Sequence, residues 1–282
     1  MRTKKRLLLF GVLVVGFLLA GVFAADIGTR NEEPMREDDV SSVVIEGGES
    51  MRIREESSVR QAGEKDLEMA IRDGDGVAEE LPPVFVDHDI PFTAQAPLAQ
   101  WGDPVFQNGC EEASLLMAER FAEGAVASFD PNETSEAIRE LARQEEALLG
   151  ESRDLSAQDT ARAARELLNL DARLEEANSP EDIAEALQSG AVVIVPANGR
   201  LLGNPHFTPP GPVYHMLLVR GYDSETDEFI TNDPGTRYGE GYRYASETLF
   251  GAMHDYETGH HGEIFPERKA MIVIAPNEGM PK

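Results

Sequence analysis

Apolar positions fall into three regimes along the chain. From Leu7 to Ala25 they run without a charge, behind Arg2, Lys4, Lys5 and Arg6. That run reaches the roughly 20-residue length a helix needs to cross hydrocarbon. It reads as a membrane anchor or as a signal peptide cut after the small residues Ala24 and Ala25, and either way the basic end stays in the cytoplasm. From Asp26 to residue 83 large apolar residues are sparse and aromatics are absent. Such a segment cannot bury enough surface to offset its ordering entropy, so it is expected to be a disordered acidic linker. From Val84 to Pro276 the apolar positions become periodic, and residues 277–282 are left as a tail.

Within 84–276 the period changes from helical to extended. Ala113, Leu116, Met117 and Phe121 mark one face of a helix over 110–123. A second helix is predicted over 134–149, with Gly150 as its stop. Ser156 and Asp159 cap a third that runs to Leu170, and Ser179, Pro180 and Asp182 open a fourth that ends at Gly190. Short apolar strands are then predicted at 191–196, 213–222, 228–233 and 269–276. Helices ahead of antiparallel strands indicate an α+β domain.

Composition narrows the function. Against 25 basic residues stand 52 acidic ones, a formal charge of −27, which repels phosphate backbones and argues against a nucleic-acid partner. One cysteine, Cys110, excludes an intramolecular disulfide and a zinc site built on several thiolates. Cys110 follows Gly109 at a predicted helix N-terminus, where free N–H groups favour a thiolate. Glu111 and Glu112 oppose that ionisation, so an imidazolium is needed beside the sulfur.

Of six histidines, His215 alone sits in a continuous apolar strand. A turn over 224–227 pairs that strand with 228–233 as a hairpin. Paired numbers then sum to 449 or 451, so Asp233 faces Met216 or Leu218, within about 10 Å of His215. A thiol, an imidazole and an orienting carboxylate are the parts of an acyl-transfer site. The backbone N–H of Cys110 and a glutamine amide would complete an oxyanion hole, and Gln95, Gln100 and Gln107 all qualify. The Gly- and Pro-rich loop 197–212 is expected to wall the cleft, and Trp101 to line the cleft or cap the core. His260, His261 and Glu263 read as surface residues rather than metal ligands.

Three segments carry a family resemblance: IPFTAQAPLAQWGDPVFQNGCEEASLLMA (90–118), YHMLLVRGYD (214–223) and TNDPGTRYG (231–239). Together they resemble the papain-like bacteriocin-leader (double-glycine) processing peptidases, family 39, in their stand-alone branch. The resemblance covers 84–276. It implies Cys110 as nucleophile, His215 as base, Asp233 as orienting acid and Gln95 as oxyanion glutamine, with no cofactor and no metal. Gln95 precedes Cys110 by a wider gap than in the leader-processing enzymes, which makes Ala96–Gly109 an insertion. The expected function is an extracytoplasmic cysteine peptidase or amide hydrolase acting on peptide, protein or cell-envelope peptide. The rivals are a silent papain-like binding module and a transpeptidase or transamidase.

Overall fold

The computed structural model describes residues 83–277 and Gly279. The apolar run 7–25, all of the 26–83 linker except residue 83 and most of the tail lie outside the described residues, so the readings placed on them stay expectations. Among the described residues no helix is long and apolar enough to cross a membrane.

In chain order the elements are β1 (Phe85–Asp87), α1 (Pro104–Gln107), α2 (Cys110–Glu123), α3 (Pro131–Leu149), α4 (Ala157–Leu167), β2 (Ala172–Glu176), α5 (Pro180–Gln188), β3 (Val192–Ala197) and α6 (Gly199–Leu202). There follow β4 (His215–Asp223), β5 (Glu228–Asn232), β6 (Tyr242–Ala245), α7 (Ser246–Ala252), β7 (Asp255–Tyr256), β8 (Ile264–Phe265) and β9 (Ala270–Ile274). Strands β2-β9-β3-β4-β5-β6 lie side by side in an antiparallel sheet. Strand β1 joins β4 at Gly221–Asp223, beyond the end of its pairing with β3. The α+β expectation holds, with one correction. Helices and strands are not cleanly segregated, because β1 precedes the helices and β2 separates α4 from α5.

Both faces of the sheet are covered, which is why its central strands read as unbroken apolar runs. On β3, Val192 and Ile194 pack towards α2, α3 and α4, while Val193 and Val195 pack towards α5 and α7. Met216 and Leu218 of β4 alternate with Leu217 and Val219 in the same way.

Helix α2 keeps its predicted limits. Gly124 ends it in the left-handed region at φ 63°, donating its N–H back to Arg120 O and Phe121 O. Its environment departs from the single-face expectation, since every residue from Cys110 to Ala118 is buried. The helix is enclosed between sheet and helices, and Ser114 Oγ reaches Met216 O of β4 at 3.5 Å. Glu111 and Glu112, expected as charges of an ordinary first turn, are therefore in the core, and α3 adds a third buried carboxyl, Glu145.

Burial pushes Glu112 well above the ordinary carboxylate range, and the neighbouring Glu145 and Glu111 push it further. Glu145 is raised in the same way. Among the described residues Glu112 Oε2 and both Glu145 oxygens lack a conventional partner. A proton held between the two carboxyls partners Glu112 Oε2 with one of the Glu145 oxygens. Because the folded-state pKa values are raised, the associated stability is fully present below the ordinary carboxylate pKa and is lost as pH rises through the folded values. Glu112→Gln or Glu145→Gln should therefore melt higher than wild type at alkaline pH, by on the order of 1–3 kcal/mol, and close to wild type in mild acid. Thermal melts at the two pH values check this, and equal shifts at both would remove the buried acid pair as their cause.

Candidate active site

The nucleophile candidate is placed by a short helix and a glycine. Asp103 caps α1 by accepting from Val105 N at 3.0 Å. The chain then turns at Gly109, where a Cβ would stand 3.0 Å from Val105 O. A side chain there would push α1 away from α2, so glycine allows the close approach that starts α2 at Cys110. As the first residue of α2, Cys110 has a backbone N–H with no carbonyl to meet inside the helix.

His215 opens β4, opposite Ala197 of β3. Its Nε2 lies 2.8 Å from Asp233 Oδ1, and both side chains are essentially buried. That bond occupies Nε2 and leaves Nδ1 as the nitrogen available for proton exchange. The pairing comes from the hairpin, with a register between the two predicted ones. Numbers sum to 451 near the turn, as at Asp223 and Glu228. A bulge between Val219 and Gly221 then reduces the sum to 450 at Leu218 and Asn232.

Asp233 is held from several sides. Oδ1 accepts Gly235 N–H at 2.9 Å, and Oδ2 accepts the Tyr244 hydroxyl at 2.6 Å and Asn204 Nδ2 at 3.4 Å. Burial works to raise its pKa, but His215 and these donors outweigh it and hold the carboxyl below its ordinary value. Tyr244 is raised far above its ordinary value by burial and by the Asp233 charge, so it stays a hydrogen-bond donor. Asn204 and Tyr244 escaped sequence reading, since neither a loop asparagine nor a tyrosine on a short strand carries a motif.

The tight packing extends to Gly235, where a Cβ would stand 2.8 Å from His215 Cε1 and 2.9 Å from Phe207 Cε1. Gly235→Ala should displace the imidazole and lower activity about tenfold or more. Gly241→Ala, whose Cβ would meet nothing, carries a left-handed φ of 59° and controls for backbone strain alone. Equal rates in the two variants would contradict the packing role of Gly235.

Cys110 and His215 line one cavity of about 300 Å³, together with Gln95, Trp101, Gln107, Phe207, Pro212 and Tyr214. The loop 197–212 thus supplies a wall of the cleft, and Trp101 lines it. A larger concavity of about 430 Å³ beside His88, Arg120 and Phe121 holds no nucleophile and base pair, so size does not mark the site.

The three glutamines separate. Gln100 donates to Ser135 Oγ at 3.1 Å and is not among the residues lining the cleft. Gln107 lines the cleft and donates to Trp101 O at 2.7 Å. Gln95 is buried beside Cys110, with Nε2 donating to Phe106 O and Gln107 O at 3.0 Å each. Both amide protons of Gln95 are thus directed at the end of α1. The segment 96–109 is folded by these bonds and by α1. His260 and His261 stack with ring centroids 3.7 Å apart, and no metal-holding group of His, Cys, Asp or Glu occurs among the described residues.

The thiol departs from the expected arrangement. Cys110 Sγ donates its hydrogen bond to Glu111 Oε2 at 3.1 Å. Burial pushes the thiol well above its ordinary pKa, and the Glu111 charge and hydrogen bond add to that. In this arrangement the sulfur is a neutral thiol.

The sequence pattern of the Peptidase_C39 like family matches residues 88–265, a span that contains Gln95, Cys110, His215 and Asp233. The chain belongs to that family. Its domain is thus a C39-like, papain-like one, as the resemblance implied. Among solved structures it is similar to that of a Bacillus anthracis protein described as C39-like, at 17% identity and a TM-score of 0.42, covering 69% of this chain and 98% of that one. No curated protein matches the chain.

Proposed function

We propose that this C39-like domain is a cysteine peptidase or related amide hydrolase that acts on peptide or protein outside the cytoplasm. The observation that carries the reading is the buried His215–Asp233 bond in the cavity that Cys110 also lines. His215 Nδ1 takes the thiol proton, and the sulfur attacks the substrate carbonyl carbon. The developing oxyanion meets the Cys110 backbone N–H and the Gln95 amide, once one of its N–H bonds leaves the α1 carbonyls. The imidazolium then protonates the departing amine, the C–N bond breaks, and a thioester remains on Cys110. Water, deprotonated by the same imidazole, releases the acid and frees the thiol. Asp233 orients the ring and stabilises its charge throughout.

The extracytoplasmic placement is supported by the basic residues 2–6 ahead of the apolar run 7–25. Protease added to intact cells should remove the domain.

Incubation with a peptide library followed by mass spectrometry tests the activity. New amino termini should appear with the wild-type chain and not with Cys110→Ala. Products extended by an added amine would identify a transpeptidase or transamidase instead. Peptide retention without cleavage would identify a binding module.

A further inference from the structure

Glu111 is the group the mechanism above leaves out, and it touches the nucleophile. Its two oxygens are not equivalent. Oε1 accepts the Leu155 N–H at 3.2 Å and lies 3.2 Å from the Tyr256 hydroxyl, which it shares with His215 O at 3.3 Å, whereas Oε2 faces the Cys110 sulfur at 3.1 Å. With a backbone donor fixed on Oε1, Oε2 is the oxygen that carries the proton when Glu111 is protonated. We propose that Glu111 is a positioning residue for the nucleophile: protonated on Oε2 it donates a hydrogen bond to the Cys110 thiolate, and ionised it accepts the thiol proton and keeps the sulfur neutral. The inference rests on the assignment of Cys110 and His215 as nucleophile and base.

The surroundings make the two states exclusive. A thiolate and a carboxylate about 3 Å apart in a buried site cannot both persist, so the pair behaves as one coupled acid. Charged and titratable groups reach Glu111 from each neighbouring element. Cys110 and Glu112 lie beside it on α2, Glu145 comes from α3, Asp154 from the turn before α4, His215 from β4 and Tyr256 from β7. Burial pushes the Glu111 carboxyl up to about 7, with Asp154 adding to the rise while the Cys110 hydrogen bond and His215 oppose it.

The proton count follows. In the reactive form the thiol proton has moved from Sγ to His215 Nδ1, and Glu111 keeps its own proton directed at the sulfur. Loss of one proton from this set leaves a carboxylate, a neutral thiol and a neutral imidazole. Reactivity of the sulfur should therefore rise with pH, dip as Glu111 ionises, and rise again only where the thiol itself ionises.

The test is the rate of Cys110 alkylation by iodoacetamide from about pH 5 to about pH 10, in the full chain, with melting temperatures as a folding control. Wild type should show the dip. Glu111→Gln keeps an acceptor for Leu155 and Tyr256 and holds a permanent N–H donor towards the sulfur. It should erase the dip and react about tenfold faster or more near pH 8. Tyr256→Phe removes a donor that favours the carboxylate, so its dip should move to higher pH. A Glu111→Gln profile that superimposes on wild type, or whose onset moves upward, would overturn the proposal. Should Glu111→Gln fail to fold, an unmoved dip in Tyr256→Phe overturns it alone. A His215→Ala profile identical to wild type would instead overturn the nucleophile and base assignment. If His215→Ala shifts and Glu111→Gln does not, only the role of Glu111 fails.

Discussion

Replacing His215 with alanine should lower peptide hydrolysis by about 10²–10⁴-fold and move the onset of Cys110 alkylation towards or beyond about pH 8.5. Burial and the neighbouring carboxyls all raise the pKa of the sulfur. Cys110 is buried, Glu111 lies at hydrogen-bond distance, and Asp154 and Glu112 add further negative charge. The N-terminus of α2 favours a thiolate, but a helix end is a modest term against burial and an adjacent carboxylate. The imidazolium of His215 is the one group lining the cavity that can offset them. Hydrolysis and alkylation should therefore fail together in His215→Ala. A variant whose alkylation profile stays put would contradict His215 as the base that generates the thiolate, even if hydrolysis were lost.

Asp233→Asn should separate the same two readouts. The variant keeps an oxygen for His215 Nε2, so the thiol remains alkylatable, but it loses the charge that stabilises the imidazolium. Turnover should fall on the order of 10²–10⁴-fold. It also sets an amide N–H against the Tyr244 hydroxyl and the Asn204 amide, both of which donate to Oδ2. Stability should therefore drop by about 1–3 kcal/mol. Because the folded-state pKa of Asp233 is lowered, its contribution is present above the ordinary carboxylate pKa and is lost as pH falls through the folded value. Wild type should lose stability over that acid window and Asp233→Asn should lose less, which chemical denaturation at several pH values measures. A parallel loss in both chains would take Asp233 out of the acid dependence.

What the sequence made legible follows the strength of the local signal. Gly109 and Gly124 bracket α2 at its true ends, because one glycine admits a close approach and the other takes a left-handed turn. His215 and Asp233 could be brought together on paper because a four-residue turn fixes a hairpin, and the bulge after Val219 altered the register by a single residue. Strand β2 stayed hidden since four of its five residues are exposed, as suits a charged sheet edge. Strand β6 and helix α7 follow a loop with no periodicity of their own. The larger omission was electrostatic. Glu111 and Glu112 read as charges of a first helical turn that oppose a thiolate, and only the enclosure of α2 by β4, α3 and β7 turns them into buried acids. Sequence pattern cannot distinguish a carboxylate from a carboxylic acid, and at Glu111 that distinction governs the thiol.

The central claim is that Cys110 carries an acyl group through a thiolate generated by His215. The intact mass of the wild-type chain, mixed with an activated peptidyl ester and quenched in acid during turnover, tests it most directly. The account predicts one added acyl group, mapped to Cys110 and cleared with time, absent from Cys110→Ala and formed far more slowly in His215→Ala. No acyl group on Cys110, or equal acylation rates in wild type and His215→Ala, would contradict it.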